Sequence, residues 1–195
     1  MSKLLNAYSN YLARKPLQGN VVTAIGLFGI GDGLAQMIEG KPGYDFARTA
    51  RLCTWGGAVF APLVGGLWFP ILNRVNLGNK ATTAITRASM DQFIAAPIVL
   101  GGFFAFAGML EGKSVDDVKK KVESSWLPTL KTNWMVWVPF QAINMIVPPQ
   151  YRFPASLAMN IPWNIYLSLQ NAKTSSSAPA AVEPPSKPVK VAFGD

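Results

Sequence analysis

The spacing of charged residues limits the fold more than any other feature of the sequence. Five windows contain no Asp, Glu, Lys or Arg, and they hold 16, 22, 19, 20 and 20 residues. A transmembrane helix needs about 20 mainly apolar residues to cross a hydrocarbon core of roughly 30 Å. The sequence therefore predicts an all-α fold, a polytopic transmembrane helical bundle.

A soluble fold is a poor alternative for this chain. It would have to bury four or more fully apolar helices within 195 residues, and too little amphipathic chain would remain to cover them. Only 14% of the residues are charged, against about 25% in a typical soluble domain. Both observations favour a membrane protein.

Four spans are predicted from these windows and their flanks. A fifth apolar stretch contains two prolines, so that a complete span and a re-entrant or broken helix both remain open there. The bundle would then have five or six helices, including the fifth stretch and an N-terminal helix. The four spans run from Asn20 to Ile38, Ala50 to Leu72, Met90 to Leu110 and Trp126 to Val147, and the fifth stretch is Phe153 to Leu169 with Pro154 and Pro162.

Three other segments differ in composition from the spans. Leu4, Leu5, Tyr8, Tyr11 and Leu12 recur at helical spacing, which predicts an N-terminal interfacial helix. The segment GKSVDDVKKKVE, residues 112–123, is predicted to be a solvated helix with Ser114 as its N-cap. Residues 172–195 are rich in Ser, Pro and Ala, so they are predicted to be a disordered tail after a membrane domain of residues 1–171.

The charged and reactive residues argue against several classes of function. The net charge is +8, but Lys and Arg lie between the apolar windows and form no single patch, so we expect no direct binding of nucleic acid. The chain has no histidine and one cysteine, Cys53. We therefore expect no metal site, no cofactor and no enzyme activity.

Small residues recur every four positions in three of the predicted spans. Such stripes let helix backbones approach closely in lipid. We expect close packing within one bundle, with a dimer interface as the alternative. The stripes are Gly29 with Gly33, then Gly57, Ala61 and Gly65, then Gly101 with Ala105.

Asp32 is the most unusual polar residue, since it lies within the first span with Gln36 one turn later on the same face. An ionisable group in a span usually faces the bundle interior, a partner or a water-filled cavity. Asp32 is expected to cap a helix broken at Gly31–Gly33, to pair with a basic residue such as Arg51 or Arg152, or to line an aqueous path. These alternatives remain open at this stage.

Further polar residues mark the other spans. Asp91 and Gln92 open the third span four residues after Arg87, which predicts an Arg87–Asp91 pair. Two polar stripes follow, and they either line a pore or hydrogen-bond to each other between helices. The stripes are Asn133, Trp137, Gln141 and Asn144 in the fourth span, and Ser156, Asn160, Asn164 and Ser168 in the last stretch. The candidate pore-lining or interhelical residues are Asp32, Gln36, Arg51, Asp91, Gln92, Trp137, Gln141, Asn144, Arg152, Asn160 and Asn164.

An ordered series of residues along nearly the whole chain resembles the Mpv/PMP group of small membrane proteins. The most specific part is NWMVWVPFQAIN, followed by VPPQYR and PWNIYLSLQNA. The sequence departs from the family pattern at Val138 and at Gly66-Leu67-Trp68-Phe69, which leaves site assignments at those two places open. Earlier parts of the series are Tyr8, Tyr11, Leu12 and Pro16, Gly31-Asp32 with Ala35-Gln36, Arg48 with Arg51, Pro62, Trp68, Asp91-Gln92 and Pro97.

The resemblance, nearest to a fungal stress-inducible member, implies a multi-pass protein of the mitochondrial inner membrane. It also implies weakly selective channel behaviour and links to stress response, metabolite homeostasis and mitochondrial DNA maintenance. Our hypothesis is a channel for small solutes or ions in the lipid bilayer, alone or in a homo-oligomer or larger complex. The alternatives are a non-conducting membrane scaffold and a peroxisomal membrane pore.

Overall fold

The computed structural model describes residues 7, 8, 10, 11, 14–146 and 149–176, without the side chains of 144–146, 149–157 and 176. The described part contains no strand, which confirms the all-α prediction, and five long helices follow one another in it. They are α1 (Pro16–Glu39), α2 (Phe46–Arg74), α3 (Lys80–Leu110), α4 (Val115–Ile146) and α5 (Pro149–Ser176).

Two of these helices change their winding part of the way along. Helix α2 is π-helical over Trp55–Trp68, and α3 is π-helical over Asp91–Ala95. Pro62 lies inside the first of these segments and Pro97 follows the second. Because proline lacks an N–H and its ring clashes with the carbonyl four residues earlier, it disturbs the α-helical hydrogen bonding around it.

Contacts between the helices give their directions. Helix α2 runs antiparallel to α1, since Thr49 bonds to Asp32 while Gly65 meets Asn20. Successive helices continue to alternate in direction through α3 and α4. Helix α5 therefore runs parallel to α1. We call the end of the bundle where α1, α3 and α5 begin the proximal end, and the other end the distal end.

The outer surface of the bundle is apolar. Helices α1, α2 and α3 are long and apolar enough to cross a membrane, and large side chains such as Val22, Met37 and Ile98 are exposed on them. Soluble monomers rarely expose extended apolar patches. The structure therefore supports a helical membrane protein with three candidate spans. A fourth span within α4 stays a prediction.

An aromatic core joins all five helices at mid-height. Phe103 and Phe104 are almost completely buried, at 1% and 0% exposure, and the ring of Trp55 meets that of Phe103 edge-on at 5.8 Å. Edge-to-face contacts of this kind add to the stability gained from burial. The core consists of Phe28, Leu52, Trp55, Leu100, Phe103, Phe104, Leu130, Trp163 and Leu167.

The small-residue stripe of α2 packs against another helix of the same chain, as predicted. A Cβ added to Gly57 would lie 2.7 Å from Ile25, and one added to Gly65 would lie 2.5 Å from Asn20. Among the described glycines, however, the closest approach to another helix's backbone is at Gly31 of α1, outside all three stripes. A Cβ there would lie 2.5 Å from the Cβ of Asn164 and 3.1 Å from its carbonyl carbon.

The structure settles two points about helix boundaries. Helix α5 is continuous from Pro149 to Ser176, so of the two alternatives left open for this stretch it has the unbroken helix. The helix predicted at 112–123 begins at Val115 and continues without a break into the 32 residues of α4. Ser114 does act at its start, since its Oγ accepts a 3.2 Å hydrogen bond from the N–H of Asp117.

The two ends of the chain are described only in part. Most of the predicted N-terminal interfacial helix lies outside the described residues and stays a prediction. The predicted boundary between domain and tail at 171/172 falls inside α5, and residues 177–195 lie outside the described part.

A buried ion pair joins α3, α4 and α5 at the distal end, and we call it the distal clasp. Lys121, only 4% exposed, donates to both carboxylate oxygens of Glu111 at 2.8 Å. Ser175 donates to the same carboxylate at 2.8 Å and accepts from Lys121 at 3.0 Å. Lys121 is therefore not solvated, contrary to the prediction for its segment.

Burial and charge shift the pKa values of both ionisable groups of the distal clasp. Burial lowers the pKa of Lys121 to about 8, although Glu111 opposes that shift. Burial alone would raise the pKa of Glu111, but the hydrogen bond and charge of Lys121, helped by Ser175, lower it. The hydrogen bonds between the two groups thus offset part of the cost of burying them.

Gly31→Ala is expected to destabilise the bundle by about 1–3 kcal/mol, as overpacking does, because the added methyl group meets the backbone of α5. Gly26→Ala is the matched control, since nothing lies within 4 Å of that position on the same helix. It should gain up to about 1 kcal/mol from helix propensity. Thermal unfolding in detergent measures both, and equal effects of the two changes would contradict the close approach.

Truncation after Ser176 is expected to leave stability unchanged, whereas truncation after Lys173 should cost about 1.5–3 kcal/mol, because Ser175 bonds to charged groups of the distal clasp. Ser175→Ala in the full chain separates this bond from the loss of helix and should reproduce much of the cost. Thermal unfolding of the three proteins is the measurement. Equal stability of both truncations would show that Ser175 contributes nothing.

Candidate functional site

A cavity of about 290 Å³ lies between the five helices on the proximal side of the aromatic core. All five helices contribute to its wall. Its polar lining is formed by one carboxylate and five carboxamides, and indole and phenyl rings form much of the rest. The polar residues are Asp91, Gln92, Asn133, Gln141, Asn160 and Asn164.

Asp91 supplies the carboxylate from the π-helical turn of α3. Its oxygens accept hydrogen bonds from the indole N–H of Trp68 at 3.0 Å and from the amide of Gln92 at 3.0 Å. The predicted Arg87–Asp91 pair is wrong. Arg87 donates instead to the carbonyls of Asn73 and Val75 at the end of α2, where free carbonyl groups attract a cation.

The carboxamides of the cavity also connect helices. Asn133 donates to the side-chain oxygen of Gln92 at 2.8 Å, and Trp134 donates to the Gln92 carbonyl at 2.8 Å, so α3 and α4 are joined. On α5, Asn164 donates to the carbonyl of Asn160 at 2.8 Å. The same residues thus line the cavity and hydrogen-bond within the bundle.

The two ends of the cavity differ in exposure. Phe69 at the proximal end is 49% exposed, and Gln141 is half-buried. At the distal end the lining residues Phe28, Trp55 and Phe103 are buried and belong to the aromatic core. Among the described lining residues, those at the proximal end are therefore partly exposed, whereas buried aromatic rings close the distal end.

Asp32 lies beyond that aromatic layer, in a second polar cluster. It is fully buried and forms an ion pair of 2.8 Å with the Nε of Arg48. Arg48 also contacts Glu39 at 2.7 Å, and Ser168 of α5 bonds to both Asp32 and Arg48. We call these four residues the Asp32–Arg48 cluster, and it joins α1, α2 and α5.

The structure decides between the alternatives for Asp32. Its carboxylate is buried and paired with a basic residue of another helix, and this partner is Arg48, which was not among the predicted ones. Helix α1 is continuous past this point, so no helix is broken at Gly31–Gly33.

The remaining acceptor sites of Asp32 are also occupied. Its Oδ2 accepts hydrogen bonds from Gln36 at 2.8 Å and from Thr49 at 2.5 Å. Gln36 accepts in turn from the N–H of Asp45 at 2.7 Å. Neither Asp32 nor Gln36 lines the cavity.

The predicted candidate residues are thus divided among separate places. Arg51 is half-buried on α2 and does not line the cavity. The side chains of Asn144 and Arg152 lie outside the described residues. Those that line the cavity are Asp91, Gln92, Trp137, Gln141, Asn160 and Asn164.

Arg48 is the main residue that the sequence reasoning missed. It lies beside an apolar window, where a basic residue ordinarily flanks a membrane span. The short connection of residues 40–45 between α1 and α2 was the available signal. It brings the start of α2 back beside the last turns of α1, within reach of Asp32.

The residues that line the cavity are suited to binding solutes. Carboxylate, carboxamide and indole groups hold solutes by hydrogen bonds and electrostatic attraction. Within the described part of the chain, no three His, Cys, Asp or Glu residues are grouped so as to hold a metal ion.

Arg48→Met is expected to cost about 3–5 kcal/mol, because it leaves the Asp32 carboxylate buried without a cation. Lys41→Met is the control, since Lys41 also pairs with Glu39, at 3.3 Å, but its side chain is 67% exposed; an exposed pair contributes about 0–1 kcal/mol. Thermal unfolding in detergent compares the two. A loss below about 1 kcal/mol in Arg48→Met would contradict a structural role for the cluster.

Comparison with known proteins identifies the family to which the chain is similar. Residues 108–168, from the last turn of α3 into α5, match the Mpv17 / PMP22 family. Protein SYM1 of Mycosarcoma maydis is 40% identical over 181 residues, covering 91% of this chain and 88% of that protein. Protein SYM1 of Saccharomyces cerevisiae is 39% identical, covering 88% of this chain and 91% of that protein.

A third relative extends over nearly all of the chain. Protein SYM1 of Kluyveromyces lactis is 37% identical over 195 residues, covering 96% of this chain and all of that protein. No solved structure matches the chain significantly. Because similarity of this degree spans all five helices, the chain belongs to the Mpv17 / PMP22 family.

Proposed function

We propose that this chain forms a pathway for small solutes or ions across the mitochondrial inner membrane. The single observation that carries the proposal is the polar cavity within a bundle whose outer surface is apolar. Polar groups inside a membrane bundle are costly and usually mark a substrate or ion path. The family resemblance supports the location, with the peroxisomal membrane as the alternative.

The proposal includes a full crossing by all five helices. Helix α4 lies antiparallel along α3, where Trp126 bonds to the carbonyl of Pro97 and Lys121 to Glu111. Helix α5 packs against α1 and α4. Because α4 and α5 pack along most of their length against the three apolar spans, their own apolar segments lie at the same depth.

In this conformation the proposed pathway is closed. The rings of Phe28, Trp55 and Phe103 separate the cavity from the distal end, and the Asp32–Arg48 cluster lies beyond them. Conduction therefore requires these groups to move apart. Roles in metabolite homeostasis, stress response and mitochondrial DNA maintenance belong to the same proposal, and they rest on the resemblance alone.

A non-conducting membrane scaffold is the second candidate. The observation that favours it is the complete pairing of Asp32, whose carboxylate serves helix packing and does not face the cavity. Association into a homo-oligomer or with other membrane proteins is compatible with either function. Both candidate functions are non-enzymatic, as expected from a sequence that contains no histidine.

Ala96→Trp is expected to lower single-channel conductance about tenfold or more in planar bilayers, because the indole fills a cavity that this residue lines. Ile98→Trp is the matched control, since Ile98 on the same helix is 64% exposed and faces outward. Both variants must elute as single folded species in detergent.

The outcomes separate the two candidate functions. Conductance that falls only in Ala96→Trp supports a pathway through the cavity. Equal conductance in both variants and the unchanged protein places conduction elsewhere and contradicts the assignment. A folded, unchanged protein without conductance favours the scaffold.

A further inference from the structure

The charge inside the cavity has one sign. Asp91 is the only ionisable residue among the described lining residues, and none of those residues is Lys or Arg. The described part of the chain places no basic group within 4.0 Å of this carboxylate. Its hydrogen-bond partners, Trp68 and Gln92, are neutral.

The contrast with Asp32 shows that the chain does pair a buried carboxylate where one is needed for structure. Asp32 has Arg48 at 2.8 Å, whereas Asp91 faces a space large enough for a small molecule. An ionised carboxylate at membrane depth is costly without a cation. The missing positive charge is therefore expected to come from the occupant of the cavity.

Aromatic rings form another part of the cavity wall. Trp137 of α4 and Trp163 of α5 both line the cavity, with ring centroids 6.1 Å apart and planes at 81°. Indole faces attract organic cations more strongly than other aromatic rings do, and aromatic cages recognise substituted ammonium groups. The carboxamides near them supply oxygen acceptors for an ammonium or hydroxyl group.

We infer that the cavity binds a small organic ammonium compound, with its positive charge between Asp91 and the indoles of Trp137 and Trp163. The inference rests on the proposed function in that it names the solute class of the same cavity. Phosphorylated solutes are disfavoured, because they would meet a carboxylate and no described basic side chain. Simple apolar solutes would leave the carboxylate without a counter-charge.

Choline is a suitable probe, and 3,3-dimethyl-1-butanol is its neutral isostere of nearly the same shape. Isothermal titration calorimetry on the purified full chain in detergent is the measurement, with sodium chloride adjusted to hold the ionic strength constant. We expect saturable choline binding and at least about tenfold weaker binding of the isostere. Inorganic phosphate should not bind to this site.

Variants then locate the binding site. Asp91→Asn should weaken choline binding at least about tenfold, whereas Asp116→Asn, a change at an exposed position on α4, should not alter it. Trp137→Leu, which removes one indole face, should also weaken binding. If Asp91→Asn does not fold, the isostere comparison and Trp137→Leu still decide the question.

Equal affinity for choline and its isostere, or unchanged choline affinity in both cavity variants, would overturn the inference. Absence of choline binding by the unchanged protein would overturn it as well. The conductance of the same preparation separates this failure from that of the proposed function. Conductance without choline binding refutes the ligand class alone, while choline binding without conductance refutes the pathway alone.

Discussion

The arrangement of the bundle depends on the buried ion pair between Asp32 and Arg48. In a low-dielectric interior a charge without its partner is strongly destabilising, so α1 and α2 are held at one relative height. Ser168 bonds to both charges and fixes α5 at the same level. Next to Asp32, Gly31 lets the backbone of α5 approach within the space that a side chain would occupy.

The alignment of α1, α2 and α5 at this level determines where the cavity lies. Asn164 lies one turn before Ser168 on α5, and its carboxamide lines the cavity together with that of Asn160. Helices α3 and α4 are aligned independently by the bonds between Gln92 and Asn133. The cavity is the space left between these two aligned units, and the aromatic core closes it where they meet.

The two polar regions differ in how completely their charges are paired. At Asp32 the carboxylate has an arginine and three further donors, so it has little capacity left for a ligand. At Asp91 it has two neutral donors beside an open space. A single chain thus uses one carboxylate for rigidity and leaves another available.

Much of the helical architecture was predictable, because the membrane sets the length of apolar windows. The third predicted span ends at Leu110, as α3 does, and the first ends one residue before Glu39. The pairing of side chains was not predictable. Arg87 is one helical turn from Asp91, yet the end of α2 attracts it more strongly.

The burial of Lys121 shows the same limit of sequence reasoning. Its neighbours Lys119 and Lys120 are exposed, and nothing local distinguishes the three lysines. The groups that enclose Lys121 come from Glu111 on one side and from Ser175, far along the chain, on the other. Only the folded bundle brings them together.

The π-helical turn at Asp91–Ala95 gives α3 one residue more than an ordinary helix would need over the same height. Successive residues of an α-helix are about 100° apart, so losing that residue would rotate the two halves of α3 by about that angle relative to each other. With Leu100 and Phe103 kept in the core, Gln92 would turn away from Asn133 of α4 and Asp91 away from Trp68 of α2. The polar wall thus depends on the number of residues in this turn of α3 as well as on the identity of its side chains.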